Sequence, residues 1–82
     1  MKTIHLNKGN PTSGKIEKED KKFLYFKVIK GTVSVKFQKV NGKSPQHPYY
    51  ENNVYNKSII KIVHVEFLYH NEDSIIEYEL TH

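Results

Sequence analysis

Apolar and polar side chains alternate with a period of two along most of the chain. No segment repeats apolar residues at i, i+3, i+4 and i+7 for long enough to build a helix. The pattern predicts strands throughout. Residues 3–6 read as a short first strand, and residues 7–14, with Gly9, Pro11 and Gly14, read as a loop on turn chemistry. A second strand begins at Ser13 and runs to Glu17. Residues 22–30, KFLYFKVIK, are apolar on both alternating faces, Phe23, Tyr25 and Ile29 on one and Leu24, Phe26 and Val28 on the other, the pattern of a central strand. After a turn at Gly31, residues 32–40 alternate cleanly, with Val33, Val35 and Phe37 inward and Ser34, Lys36 and Gln38 outward.

Asn41-Gly42 suits a tight hairpin turn, because both central residues of a type I′ turn need positive φ. Pro45 and Pro48 follow and cannot donate to a ladder, so a returning strand is an edge or is interrupted, and residues 43–56 read mostly as loop. Residues 58–69 form a long β run with Val63, Val65, Phe67 and Tyr69 on one face, opposite Ile60, Ile62, His64, Glu66 and Leu68. Ile60 and Ile62 signal a bend or a change of buried face. A polar turn at residues 71–73 leads into 74–81, with Ile76, Tyr78 and Leu80 inward, so that the chain ends in a hairpin. Six to seven short strands divided by turn signals predict an all-β fold, a small antiparallel β-sandwich of jelly-roll or Ig-like type.

Composition sharpens this picture. The 82 residues suffice for a single domain whose one core barely offsets chain entropy. With no cysteine, neither a disulfide nor a thiolate metal site can add stability. No apolar run approaches the length of a membrane span, and residues 1–6 lack the apolar stretch of a signal peptide. The expected location is therefore cytoplasmic, or secreted where the chain is a fragment of a larger protein. All thirteen basic residues are lysine, arginine and alanine are absent, and Asn, Ile and Tyr are abundant, which points to an AT-rich bacterial or viral coding genome. Charge is split along the chain: eleven lysines face Glu17, Glu19 and Asp20 in residues 1–43, a balance of +8, whereas residues 44–82 carry two lysines and six acids, a balance of −4. Acidic late strands lying beside basic early ones would cancel most of it.

The order Leu6, Gly9, Ser13-Gly14, Asp20, Phe23, Phe26, Gly31, Val33 and Val35, with the closing Tyr78-Glu79-Leu80, resembles pre-peptidase C-terminal domains. Those are jelly-roll-like sandwich modules appended to secreted bacterial proteases, and the collagen-binding domains of bacterial collagenases share their plan. The resemblance covers the first 37 residues and the last few. It implies a sandwich and a non-catalytic character, and it transfers no calcium ligands.

Candidate chemistry is sparse. His64 and Glu66 share one side of the long strand and His70 lies just beyond its end, so a metal site or an acid–base pair is geometrically open, although His-x-Glu is commonplace on solvated strand faces. No nucleophile elbow and no Walker spacing is present, and neither enzymatic activity nor a cofactor is expected. The segment from His47 to Lys57, HPYYENNVYNK, stands out: Tyr49, Tyr50 and Tyr55 lie among Asn52, Asn53 and Asn56, and tyrosine offers binding loops a large rigid contact with a polar tip. The ordinary alternative is that one or two of these rings close the sandwich. Lys36 and Gln38 supply neighbouring polar groups. Lysines lack the fork that reads base edges, so nucleic acid is not an expected partner.

The leading expectation is a non-catalytic module that binds a protein or saccharide through Tyr49, Tyr50, Asn52, Asn53, Tyr55, Lys36 and Gln38. A small phage- or mobile-element-encoded inhibitor, or a sponge for an anionic small molecule, is the second expectation. A structural or assembly subunit whose charge-polarised halves meet head to tail in a homo-oligomer is the third.

Overall fold

The computed structural model describes residues 1–10 and 14–82. They form eight strands and no helix: β1 (Lys2–Leu6), β2 (Gly14–Glu17), β3 (Phe23–Lys30), β4 (Thr32–Lys39), β5 (Gln46–Tyr50), β6 (Val54–Ser58), β7 (Ile62–Tyr69) and β8 (Ser74–Thr81). Among the described residues no helix is long and apolar enough to cross a membrane. Two sheets of four strands have the orders β1-β8-β3-β6 and β2-β7-β4-β5, and every neighbouring pair is antiparallel. Strands 4 and 5, 3 and 6, 2 and 7, and 1 and 8 thus pair as the arms of one long hairpin, rolled up so that β8 also pairs β3 and β7 pairs β4. That is the jelly-roll arrangement of the β-sandwich.

Alternation explains what is buried. Leu24, Phe26 and Val28 of β3 and Ile76 and Tyr78 of β8 face Val33, Val35 and Phe37 of β4 and Val65 and Phe67 of β7, with Leu6 and Ile16 at the flank. The Phe26 ring meets Phe67 of the other sheet edge-on at 5.4 Å between centroids. Aromatic pairs of this geometry add to the area they bury.

Several expectations change. β3 lies inside its sheet as predicted, yet only one of its faces is buried; Phe23 is exposed and Tyr25 and Ile29 are half-exposed, because a two-layer sandwich covers each sheet once. Residues 46–50 and 54–58 are strands rather than loop. Pro48 is accommodated because β5 is the edge of its sheet, where a missing donor costs no ladder bond. The long run is broken at residues 59–61. Within β7, Gln38 pairs His64 while Lys39 pairs Ile62, which leaves Val63 as an inserted residue that turns Ile62 inward alongside Val65. The closing hairpin does not form: β7 and β8 belong to different sheets, and residues 70–73 carry the chain across the sandwich. Gly42 alone takes positive φ in its turn, at 89°, so Asn41-Gly42 is not a type I′ pair. The predicted start of β2 at Ser13 falls outside the described residues.

Gly31 sits at the corner where the chain leaves β3 for β4, with φ of 77°. An added Cβ would strike the carbonyl oxygen of Asp73, so this corner needs glycine for its conformation and for its space.

Candidate functional site

The turn between β5 and β6 is built by its own polar groups. Asn52 adopts φ of 68°, a left-handed conformation that asparagine tolerates, and its N–H donates to Val28 O at 2.8 Å. The Asn53 side-chain amide donates to Tyr50 O at 3.3 Å and Glu51 O at 3.4 Å. Glu51 Oε1 accepts the Gly31 N–H at 2.8 Å. Asn53 therefore spends its amide on the turn itself.

The tyrosines divide by parity. Tyr49 pairs Val33 and points inward; its ring lies 5.2 Å from Phe26 and 4.5 Å from Tyr55, and Tyr55 stacks on Phe26 at 5.0 Å. Tyr49 is buried and Tyr55 half-buried, so these two expected contact residues close the sandwich instead of presenting their rings. Tyr50 faces the other way and is 55% exposed.

That outward parity places Tyr50 on the outer face of the β2-β7-β4-β5 sheet, where the register gathers residues that the sequence leaves far apart. Lys36 pairs Glu66 on one side and Gln46 on the other, Gln38 pairs His64, and Lys15 and Glu17 of β2 pair Glu66 and His64. Ser34 also points outward, yet it is buried. Pro48 and Leu68 flank it in register, and His70 Nδ1 shares a 3.0 Å hydrogen bond with its hydroxyl. The backbone of Ser34 is part of the sheet ladder. His64 Nε2 and Glu66 Oε1 lie 2.9 Å apart, and His70 is committed to Ser34. The three expected metal candidates therefore do not converge, and among the described residues no group of three His, Asp or Glu side chains could hold an ion.

Clefts also open elsewhere on the surface of the described residues. One, of about 350 Å³, lies where β1 begins and β8 ends and is lined by Lys2, Glu17, Lys18, Glu19, Lys21 and Tyr78. Lys18 Nζ there donates to the carbonyls of Ile59 and Ile60 at 2.8 and 2.9 Å, which ties two turns together. Burial raises the pKa of Tyr78 above the ordinary phenol value of 10.0. Another, of about 250 Å³, lies in the seam between β5 and β6. No sequence pattern marked it, because inward parity has no meaning until residues 46–58 are recognised as strands.

Comparison with protein-family models, with curated proteins and with solved structures finds no match to this chain.

Proposed function

We propose that this protein is a non-catalytic binding module that engages a saccharide on the outer face of the β2-β7-β4-β5 sheet. The observation that carries the reading is the exposed ring of Tyr50 on the same face as Lys36, Gln38, His64 and Glu66. A flat ring stacks against the C–H face of one sugar of an oligosaccharide, while Lys36 and Glu66, four positions along the strands from the Thr32–Tyr50 pair, and Gln38 and His64, six positions along, bond hydroxyls of sugars about 13–20 Å further on. The polar character of this face favours such a ligand over a protein partner, whose contact surface needs an apolar centre. Asn52 is exposed at the adjoining turn and extends the surface.

The test is a glycan array of neutral and acidic oligosaccharides, followed by titration of any sugar retained. Tyr50→Ala should weaken binding at least tenfold with the β-sheet circular dichroism spectrum unchanged, and Lys36→Ala with Gln38→Ala should weaken it further. Retention of no glycan, or undiminished binding by folded Tyr50→Ala, overturns the reading.

A second reading has its own support. The outer face of the other sheet exposes Phe23 and Val54, with Tyr25 between them half-buried, and apolar residues of this kind suit a protein contact in an assembly. Sedimentation that is independent of concentration would remove a self-assembly role.

A further inference from the structure

A jelly roll leaves two seams where the edge strands of its sheets face each other. In the β5–β6 seam the inward positions are His47 and Tyr49 on β5, opposite Val35 and Val33 in register, and Tyr55 and Lys57 on β6, opposite Phe26 and Leu24. The two tyrosines, with centroids 4.5 Å apart, close half of the seam. In register, His47 and Lys57 fall at positions that an ordinary seam would fill with aliphatic side chains; His47 is exposed and Lys57 half-buried, and they stand at the rim of a cavity of about 250 Å³. Its floor is apolar: Phe37, Tyr49 and Ile62 are each only 8% exposed.

The rim is cationic and uncompensated. Lys57 Nζ lies 5.6 Å from the centroid of the Tyr49 ring, and among the described residues no carboxylate pairs with it. An ammonium held over an aromatic face, beside an imidazole and above an apolar floor, is complementary to a carboxylate on a compact apolar body. Ligand cavities usually exceed about 300 Å³, so this one suits a single ring or a short branched chain. Pro48 removes a donor from the β5 edge and the inward lysine blunts the β6 edge, which argues against an extended peptide added as a strand. We infer that the β5–β6 seam is a binding site for a small free monocarboxylic acid with an aromatic or branched aliphatic body. This site stands independently of the proposed saccharide face.

The experiment is a titration of the full chain with benzoate, followed by amide and side-chain chemical shifts, with benzamide as the neutral isostere. The expected result is saturable shifts confined to Phe37, His47, Tyr49, Lys57 and Ile62. The dissociation constant should be on the order of 1 mM, the level that ligand efficiency allows a probe of about nine heavy atoms. Benzamide should bind the wild type, and benzoate the Lys57→Met variant, at least tenfold more weakly than benzoate binds the wild type, while Lys57→Arg retains binding and His47→Gln loses part of it. No saturable shift below about 10 mM benzoate overturns the inference, as does equal binding of benzamide. If Lys57 serves only to blunt the edge, Lys57→Met will self-associate while its benzoate shifts match those of the wild type, and that outcome also overturns it.

Discussion

Single residues carry costs here that their neighbours outweigh. Ser74 is 1% exposed at an inward position of β8, and its hydroxyl has no hydrogen-bond partner among the described residues. A buried unsatisfied hydroxyl costs on the order of 1–3 kcal/mol. Tyr78 gives a testable case. Its phenol is raised above 10.0 by burial, so above pH 10 the unfolded chain ionises while the folded chain still holds the proton. The stability due to the protonated phenol is present in full below that pH and is lost as pH rises toward the folded value. Urea midpoints measured from pH 8 upward should fall beyond pH 10, and Tyr78→Phe should reduce the fall. Identical profiles for both proteins would remove this linkage.

At the scale of elements, the edges decide behaviour. On the β5–β6 side one edge carries Pro48 and the other an inward-facing lysine, two devices that discourage pairing with another chain. Pro48 pairs Ser34, with its nitrogen directed away from the ladder, so Pro48→Val would add an outward donor and β-propensity without breaking a bond. Sedimentation velocity across a concentration series should show stronger self-association for Pro48→Val than for the wild type; matching distributions would mean that the proline is not what protects this edge. The bulges act at the same scale. Ile29 and Val63 are extra residues in β3 and β7; Val63 turns the preceding Ile62 toward the core, and Ile29 interrupts the β3–β8 register one residue before β3 ends.

For the whole molecule, rolling the hairpin interleaves the two halves of the chain, since both sheets alternate early and late strands. Lys27 faces Glu77 across β3 and β8, and Lys36 faces Glu66 across β4 and β7, so the charge split of the sequence is largely folded onto itself. What remains unbalanced lies in the turns at one end, where Lys18, Lys21, Lys22, Lys43 and Lys61 outnumber Glu19 and Asp20. The same topology sets the folding speed. β1 must find β8 and β2 must find β7, contacts between nearly opposite ends of the chain, so loop closure comes before most of the stabilising burial. Stopped-flow refolding followed by tyrosine fluorescence should show relaxation in milliseconds to seconds; completion within microseconds would contradict that account.

The sequence by itself determined the strands whose alternation is dictated by burial on one face. β4 and β8 are legible because Val33, Val35 and Phe37, and Ile76 and Tyr78, recur at a period of two, and hydrophobic burial acts on each locally; β3 is legible as a strand from its apolar run, but not which of its two apolar faces is buried. The sandwich class follows from the number of such strands. Tertiary structure decided everything that depends on pairing between distant segments. β5 and β6 carry weak local signals and exist because β4 and β3 supply their partners. Whether residues 71–73 close a hairpin or cross between sheets is settled by competition for β3 and β4, which no local pattern records. The candidate site divides in the same way. The tyrosine-rich segment was visible as composition, but the assignment of Tyr49 and Tyr55 to the core and of Tyr50 to the polar face, and the cavity with His47 and Lys57 at its rim, follow only once register fixes which way each side chain points.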